Sequence, residues 1–157
     1  MQKVILFIAV LLSLFACSKD DSENSVNKFS AEETKILKVL DGKWEKDDKS
    51  SSEVLSFSPY SEKKMISGIV VDKEIVNIFH GDAICCFSYL GKQEEQKMYF
   101  YVNTEKKEIH LYRVEEDGKF SIVQTKSYDY NIIDNNTIQL HDKSLSGLLV
   151  YNYKRIR

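Results

Sequence analysis

A chain of 157 residues, 43% hydrophobic and 29% charged, is long enough to fold as one domain around a real core without covalent staples. Its formal net charge of -2, with no basic stripe, excludes the electrostatic footprint of a nucleic-acid binder. Pro59 is the single proline, which excludes a proline-rich stalk.

The chain opens as an export signal. Lys3 supplies the positive start, Val4 to Phe15 form an almost unbroken apolar run, and Leu14-Phe15-Ala16-Cys17 closes it. The run is too short for a transmembrane helix, which needs about 20 apolar residues. A cysteine after a small residue resembles the lipobox of bacterial lipoproteins. That resemblance implies a signal peptide over residues 1–16 and a diacylglycerol on the Cys17 thiol. It also implies a second acylation, of the Cys17 amino group. An ordinary secretory signal with an incidental cysteine is the alternative. Ser18-Lys19-Asp20-Asp21 resembles the short acidic signal of surface lipoproteins of Bacteroidota, which implies an outer-membrane, surface-exposed location. Residues 17–28 are polar and read as a lipidated tether, with a mean span on the order of 20 Å.

The folded domain is expected over residues 29–157. Ser30 as N-cap with Glu33 three residues on makes a capping box. Ile36, Leu37 and Leu40 share one helical face, and Gly42 stands where the helix should stop. Beyond Gly42 the hydrophobic period is two. Strands are expected near 43–47, 53–58, 64–71, 74–80, 84–90, 96–103 and 108–115, then 119–125, 128–133, 136–141 and 148–156, with 119–133 open to merging into one bent strand. Asp72-Lys73, Gly81-Asp82, Asn103-Thr104, Asp117-Gly118, Asn135-Asn136 and Ser146-Gly147 supply turn chemistry. Short strands joined by short turns indicate an antiparallel sandwich or barrel.

Several strands are apolar or aromatic on both faces. Met98, Phe100 and Val102 oppose Tyr99 and Tyr101, and Leu148 and Val150 oppose Leu149, Tyr151 and Tyr153. Either these tyrosines line a cavity or they lie outward with their hydroxyls in solvent. On the first reading Tyr99, Tyr101, Tyr151 and Tyr153 are the ligand-binding residues, apolar walls with polar tips.

Gly42-Lys43-Trp44 after a short helix is similar to the start of lipocalins, where Gly-x-Trp plugs one barrel end. Tyr128-Asp129-Tyr130 is similar to their second motif, with Tyr128 where threonine is usual, and Arg155 matches the arginine that stacks on the tryptophan. The chain most resembles small lipocalin-like lipoproteins of Bacteroidota, with their Gly-x-Trp, late Tyr-x-Ile strand and closing Tyr-x-Arg strand. The resemblance implies an antiparallel lipocalin-like barrel of about 8–10 strands behind one short helix, closed where Trp44 meets Arg155.

Enzyme chemistry is not expected. His80, His110 and His141 are far apart, with no paired spacing for a metal, and His80-Gly81-Asp82 reads as an ordinary turn. There is no Gly-x-Ser-x-Gly and no phosphate-cradling loop, so no catalytic residue, cofactor or metal is assigned. Adjacent Cys85 and Cys86 should point to opposite faces, one into the core and one outward. The expectation is a membrane-anchored protein that binds a small or lipidic ligand without catalysis. An adhesion or protein-interaction module, such as an accessory of a surface glycan-uptake complex, is the alternative.

Overall fold

The computed structural model describes residues 27–48, 52–65, 69–70, 78–89, 92–116, 120–143 and 149–157. The signal segment, Cys17 and most of the tether lie outside these residues. So do the expected turns Asp72-Lys73, Asp117-Gly118 and Ser146-Gly147.

Helix α1 spans Ala31–Leu40. Its start is the capping box: Glu33 N–H donates to Ser30 Oγ (3.1 Å) and Ser30 N–H donates to Glu33 Oε2 (2.7 Å). Nine strands follow: β1 Gly42–Lys46, β2 Glu53–Met65, β3 Ile69–Val70, β4 Ile78–Tyr89 and β5 Lys92–Asn103, then β6 Glu108–Glu116, β7 Phe120–Ile132, β8 Thr137–Asp142 and β9 Val150–Ile156.

Eight of them form a closed antiparallel barrel, each strand beside its chain neighbour once the two-residue β3 is set apart. Two seams complete the ring. Trw-bearing β1 pairs with β9, with Trp44 opposite Arg155, and β7 pairs with β8, with Tyr130 opposite Leu140. β3 adds to the free stretch of β7 in parallel, Ile69 opposite Ser121.

One expected turn is strand. Gly81-Asp82 lies within β4, where Gly81 pairs with Pro59 on one side and Phe100 on the other. A glycine is needed here for space: an added Cβ would meet the Phe100 ring and stand 2.5 Å from the Ser58 carbonyl oxygen. β2 and β4 are therefore longer than expected, with a register shift between Pro59 and Lys64 where the pair bends. The proposed bent strand is one strand, β7, with a register shift opposite Leu111/Tyr112.

Inward residues alternate along every strand. Trp44, Leu55, Phe57, Ala83, Cys85, Met98, Phe100, Val102, Ile109 and Leu111 join Ile138, Leu140 and Tyr153 in one buried cluster. Leu37 and Leu40 of α1 belong to it as well, so the helix closes one end of the barrel.

Candidate functional site

The two ends of the barrel differ in chemistry. At the helix end the interior is sealed. Trp44 is fully buried, its Nε1–H donates to the Leu40 carbonyl (2.8 Å), and the Arg155 guanidinium lies 4.4 Å from the ring centre. Arg155 then gives its donors to three backbone carbonyls: Nη1 to Asp41 (2.5 Å), Nε to Asn135 (3.0 Å) and Nη2 to Val39. One side chain thus ties the end of α1, the β7–β8 turn and both seam strands together. Gly42 leaves room for it, since an added Cβ would stand 2.8 Å from Nη1 and the residue holds φ +122°.

The other end holds a polar cluster inside the wall. Glu53 shares inward parity with Leu55 and Phe57, Lys126 with Tyr128 and Tyr130, Cys85 with Ala83, and Asp142 with Leu140. In the ring of eight, β2 and β7 are four strands apart in either direction, so Glu53 and Lys126 face each other across the barrel. Lys126 Nζ donates to Glu53 Oε1 (2.5 Å), Tyr153 Oη donates to Glu53 Oε2 (3.1 Å), and Cys85 Sγ lies 3.4 Å from Oε1.

Burial works against the Glu53 carboxylate, but Lys126 and the Cys85 and Tyr153 donors outweigh it and hold its pKa below the ordinary carboxylate value. Lys126 is likewise penalised by burial, and the carboxylate of Glu53 leads the groups that raise it above a usual lysine. Burial pushes the Cys85 thiol up to about 12, so it is protonated at neutral pH and a poor nucleophile. Burial and then the nearby Glu53 and Asp142 also push the Tyr128 phenol upward. Tyr128 is only 1% exposed, and its hydroxyl has no hydrogen-bond partner.

The four tyrosines assigned to a ligand do not converge. Tyr153 is in the polar cluster, and Tyr151 lies on its side of the wall with Lys46 Nζ 3.3 Å above its ring. Tyr99 and Tyr101 point the other way, because Met98, Phe100 and Val102 take the inward positions of β5. They pack outside the barrel, Tyr99 on Phe79 (5.2 Å between ring centres) and Tyr101 on His80 (4.9 Å), in an aromatic strip that includes Tyr112 and Tyr60. Cys85 is buried and Cys86 half-buried, both as free thiols.

Sequence reasoning missed Glu53 and Lys126, reading them as ordinary surface charge. The available signal was parity: each sits two residues from an inward aromatic or aliphatic side chain on its own strand. A cleft of about 410 Å³ lies elsewhere, between α1 and β2, lined by Phe29, Thr34, Leu37, Lys38, Asp41 and Tyr60 among others. It has the size of a small-molecule site, but it is open and does not contain the buried polar cluster. Among the described residues no group of three or more His, Cys, Asp or Glu side chains is placed to hold a metal ion, and no helix is long and apolar enough to cross a membrane.

Comparison with protein-family models, with curated proteins and with solved structures gives no match to this chain.

Proposed function

We propose that this is an outer-membrane lipoprotein, anchored through Cys17 and exposed at the surface, whose lipocalin-like barrel binds a small ligand at its open end without catalysis. The observation that carries the binding reading is the Tyr128 hydroxyl, buried and unpartnered beside the Glu53–Lys126 pair. An orphaned buried hydroxyl is destabilising by about 1–3 kcal/mol unless something satisfies it. The helix-end half of the interior is filled by side chains, which favours a compact molecule at the mouth over a long lipid tail threaded through the barrel. The anchor reading rests on Leu14-Phe15-Ala16-Cys17 and its apolar run.

Two measurements test these readings. Cys17→Ala should move the protein from the membrane to the soluble fraction, because three acyl chains exceed what stable anchoring needs; an unmodified N-terminus in the wild type removes the anchor reading. Native mass spectrometry after exposure to a mixed small-molecule extract should show retained mass below that of a membrane lipid. No retention removes the binding reading.

The interaction-module reading keeps one specific support, the half-buried outer strip of Tyr60, Tyr99 and Tyr101 beside the open α1–β2 cleft. Cross-linking that captures a protein partner through Lys38, with no small molecule retained, selects it.

A further inference from the structure

The charges of the mouth bear on which ligand it takes. Glu53 and Lys126 neutralise each other at 2.5 Å, and the second oxygen of Glu53 is taken by Tyr153. A ligand anion would have to compete with Glu53 for Lys126 and would approach Asp142, which is buried and directly across the β7–β8 ladder from Tyr128. A ligand cation would meet Lys126, whose Nζ is 6.0 Å from the centre of the Tyr128 ring. Either charge would be desolvated beside a like charge, with the site's own counter-charge already committed. The one unspent polar group is the Tyr128 hydroxyl, which asks for a hydrogen-bond partner and not for a charge. Around it the walls are Tyr151, Tyr153 and Phe87, all of which join the inward cluster.

We infer that the open end of the barrel takes a compact uncharged molecule, with a flat apolar body and a carbonyl-type acceptor that pairs with the Tyr128 hydroxyl. This rests on the reading of the barrel mouth as a binding site and deepens it to a ligand class. Selection would follow from asymmetry: an uncharged acceptor gains a buried hydrogen bond and disturbs no ion pair. A charged analogue of the same shape gains that contact only by crowding Glu53 and Asp142 or Lys126.

Three probes of nearly equal shape separate the cases: benzamide, benzoate and benzylammonium. The mature lipidated protein in detergent is titrated with each, against empty micelles, following the amide resonances of Lys126, Tyr128 and Tyr153. Benzamide is expected to shift these resonances saturably. The two charged probes should bind at least about tenfold more weakly, and Tyr128→Phe should weaken benzamide about fivefold to tenfold. Tyr128→Phe removes only an unpartnered hydroxyl, so it should fold. Tighter binding of benzoate or benzylammonium overturns the ligand class but leaves a binding barrel. Benzamide affinity unchanged in Tyr128→Phe also overturns the class, since that hydroxyl is the contact it stands on. If none of the three shifts these resonances, both the class and the binding reading on which it rests are overturned.

Discussion

Trp44 joins more of this fold than any other single side chain. It is fully buried, hydrogen-bonded to the last turn of α1 and covered by Arg155 from the opposite seam strand. Trp44→Ala removes the ring from between helix and seam, and is expected to destabilise the protein by about 3–5 kcal/mol. Urea denaturation followed by circular dichroism measures this, since the substitution also removes the only tryptophan. Gly81 is limiting in the opposite sense, because it has no room. Gly81→Ala pushes a methyl into the Phe100 ring and the β2 backbone, an overpacking that should destabilise by about 1–3 kcal/mol in the same assay. The two residues also mark what was legible in the sequence. Trp44 and Arg155 stand on the first and last strands with large, unusual side chains, so their meeting followed from barrel closure. Gly81-Asp82 carried turn chemistry, and only the tertiary crowding of Phe100 and Pro59 explains why a glycine sits inside a strand. Local composition does not contain that information.

At the level of elements, the attachment of α1 to the wall depends on a histidine that read as a turn residue. The β4–β5 ladder ends at Gly81 and Phe100, and just past it the Val102 N–H donates to His80 Nδ1 (2.8 Å) in place of a strand partner. The ring proton then belongs on Nε2, which faces Glu33 Oε1 of the capping box at 3.4 Å, a separation that leaves Nε2 short of a full hydrogen bond. Lys63 of β2 holds the other Glu33 oxygen at 3.0 Å, while Phe29 and Tyr101 pack on the His80 ring. Burial drives the His80 pKa down to about 4, with Lys63 adding to the shift and Glu33 opposing it. The unfolded imidazole protonates near its ordinary value of 6.5, so between 6.5 and about 4 the unfolded chain binds more protons than the folded one. Stability is therefore present above that window and lost as pH falls through it, by about 3 kcal/mol. Glu33 is opposed by burial but held low by the Ser30 backbone and by Lys63, so it extends the loss to more acid pH. Urea midpoints between pH 7.5 and 4 should fall in the wild type. In His80→Asn, which keeps an acceptor for Val102 but does not titrate, the decline across the histidine window should flatten. An equal slope in both proteins rejects this account. The helix itself was legible from Ser30, Glu33 and its apolar face; its tie to the barrel was not, because the His80 partners come from three separate elements.

For the whole molecule, the decisive relation is between strands that never touch. Period-two patterning made the strands and the all-β class readable, and closure followed from their number. What no local pattern carries is which inward residues face one another across the ring. Glu53 and Lys126 are 73 residues apart and meet only because β2 and β7 fall on opposite sides of an eight-strand circle. Their pair is a brace across the mouth, partly shielded, with side chains 15% and 28% exposed. Breaking it from one side leaves a charge without its partner in a poorly solvated interior. Lys126→Met should therefore destabilise on the order of 3 kcal/mol, with Glu53 stranded beside Asp142. The double variant Glu53→Gln with Lys126→Met has no stranded charge, and the glutamine can still accept from Tyr153. It should recover most of that loss, so the two substitutions will be strongly non-additive. The pH dependence gives a second reading of the same brace. Glu53 is held below its ordinary pKa, so its contribution is present above the unfolded carboxylate value and disappears as pH falls through the lower folded one. In Lys126→Met the main group holding Glu53 down is gone, and burial then raises the carboxylate instead. That variant should gain stability relative to wild type as pH falls from 6 to 4, which parallel denaturation series at those two values will measure. If the single and double variants lose the same stability at pH 7, the pair is not a brace and each side chain acts alone.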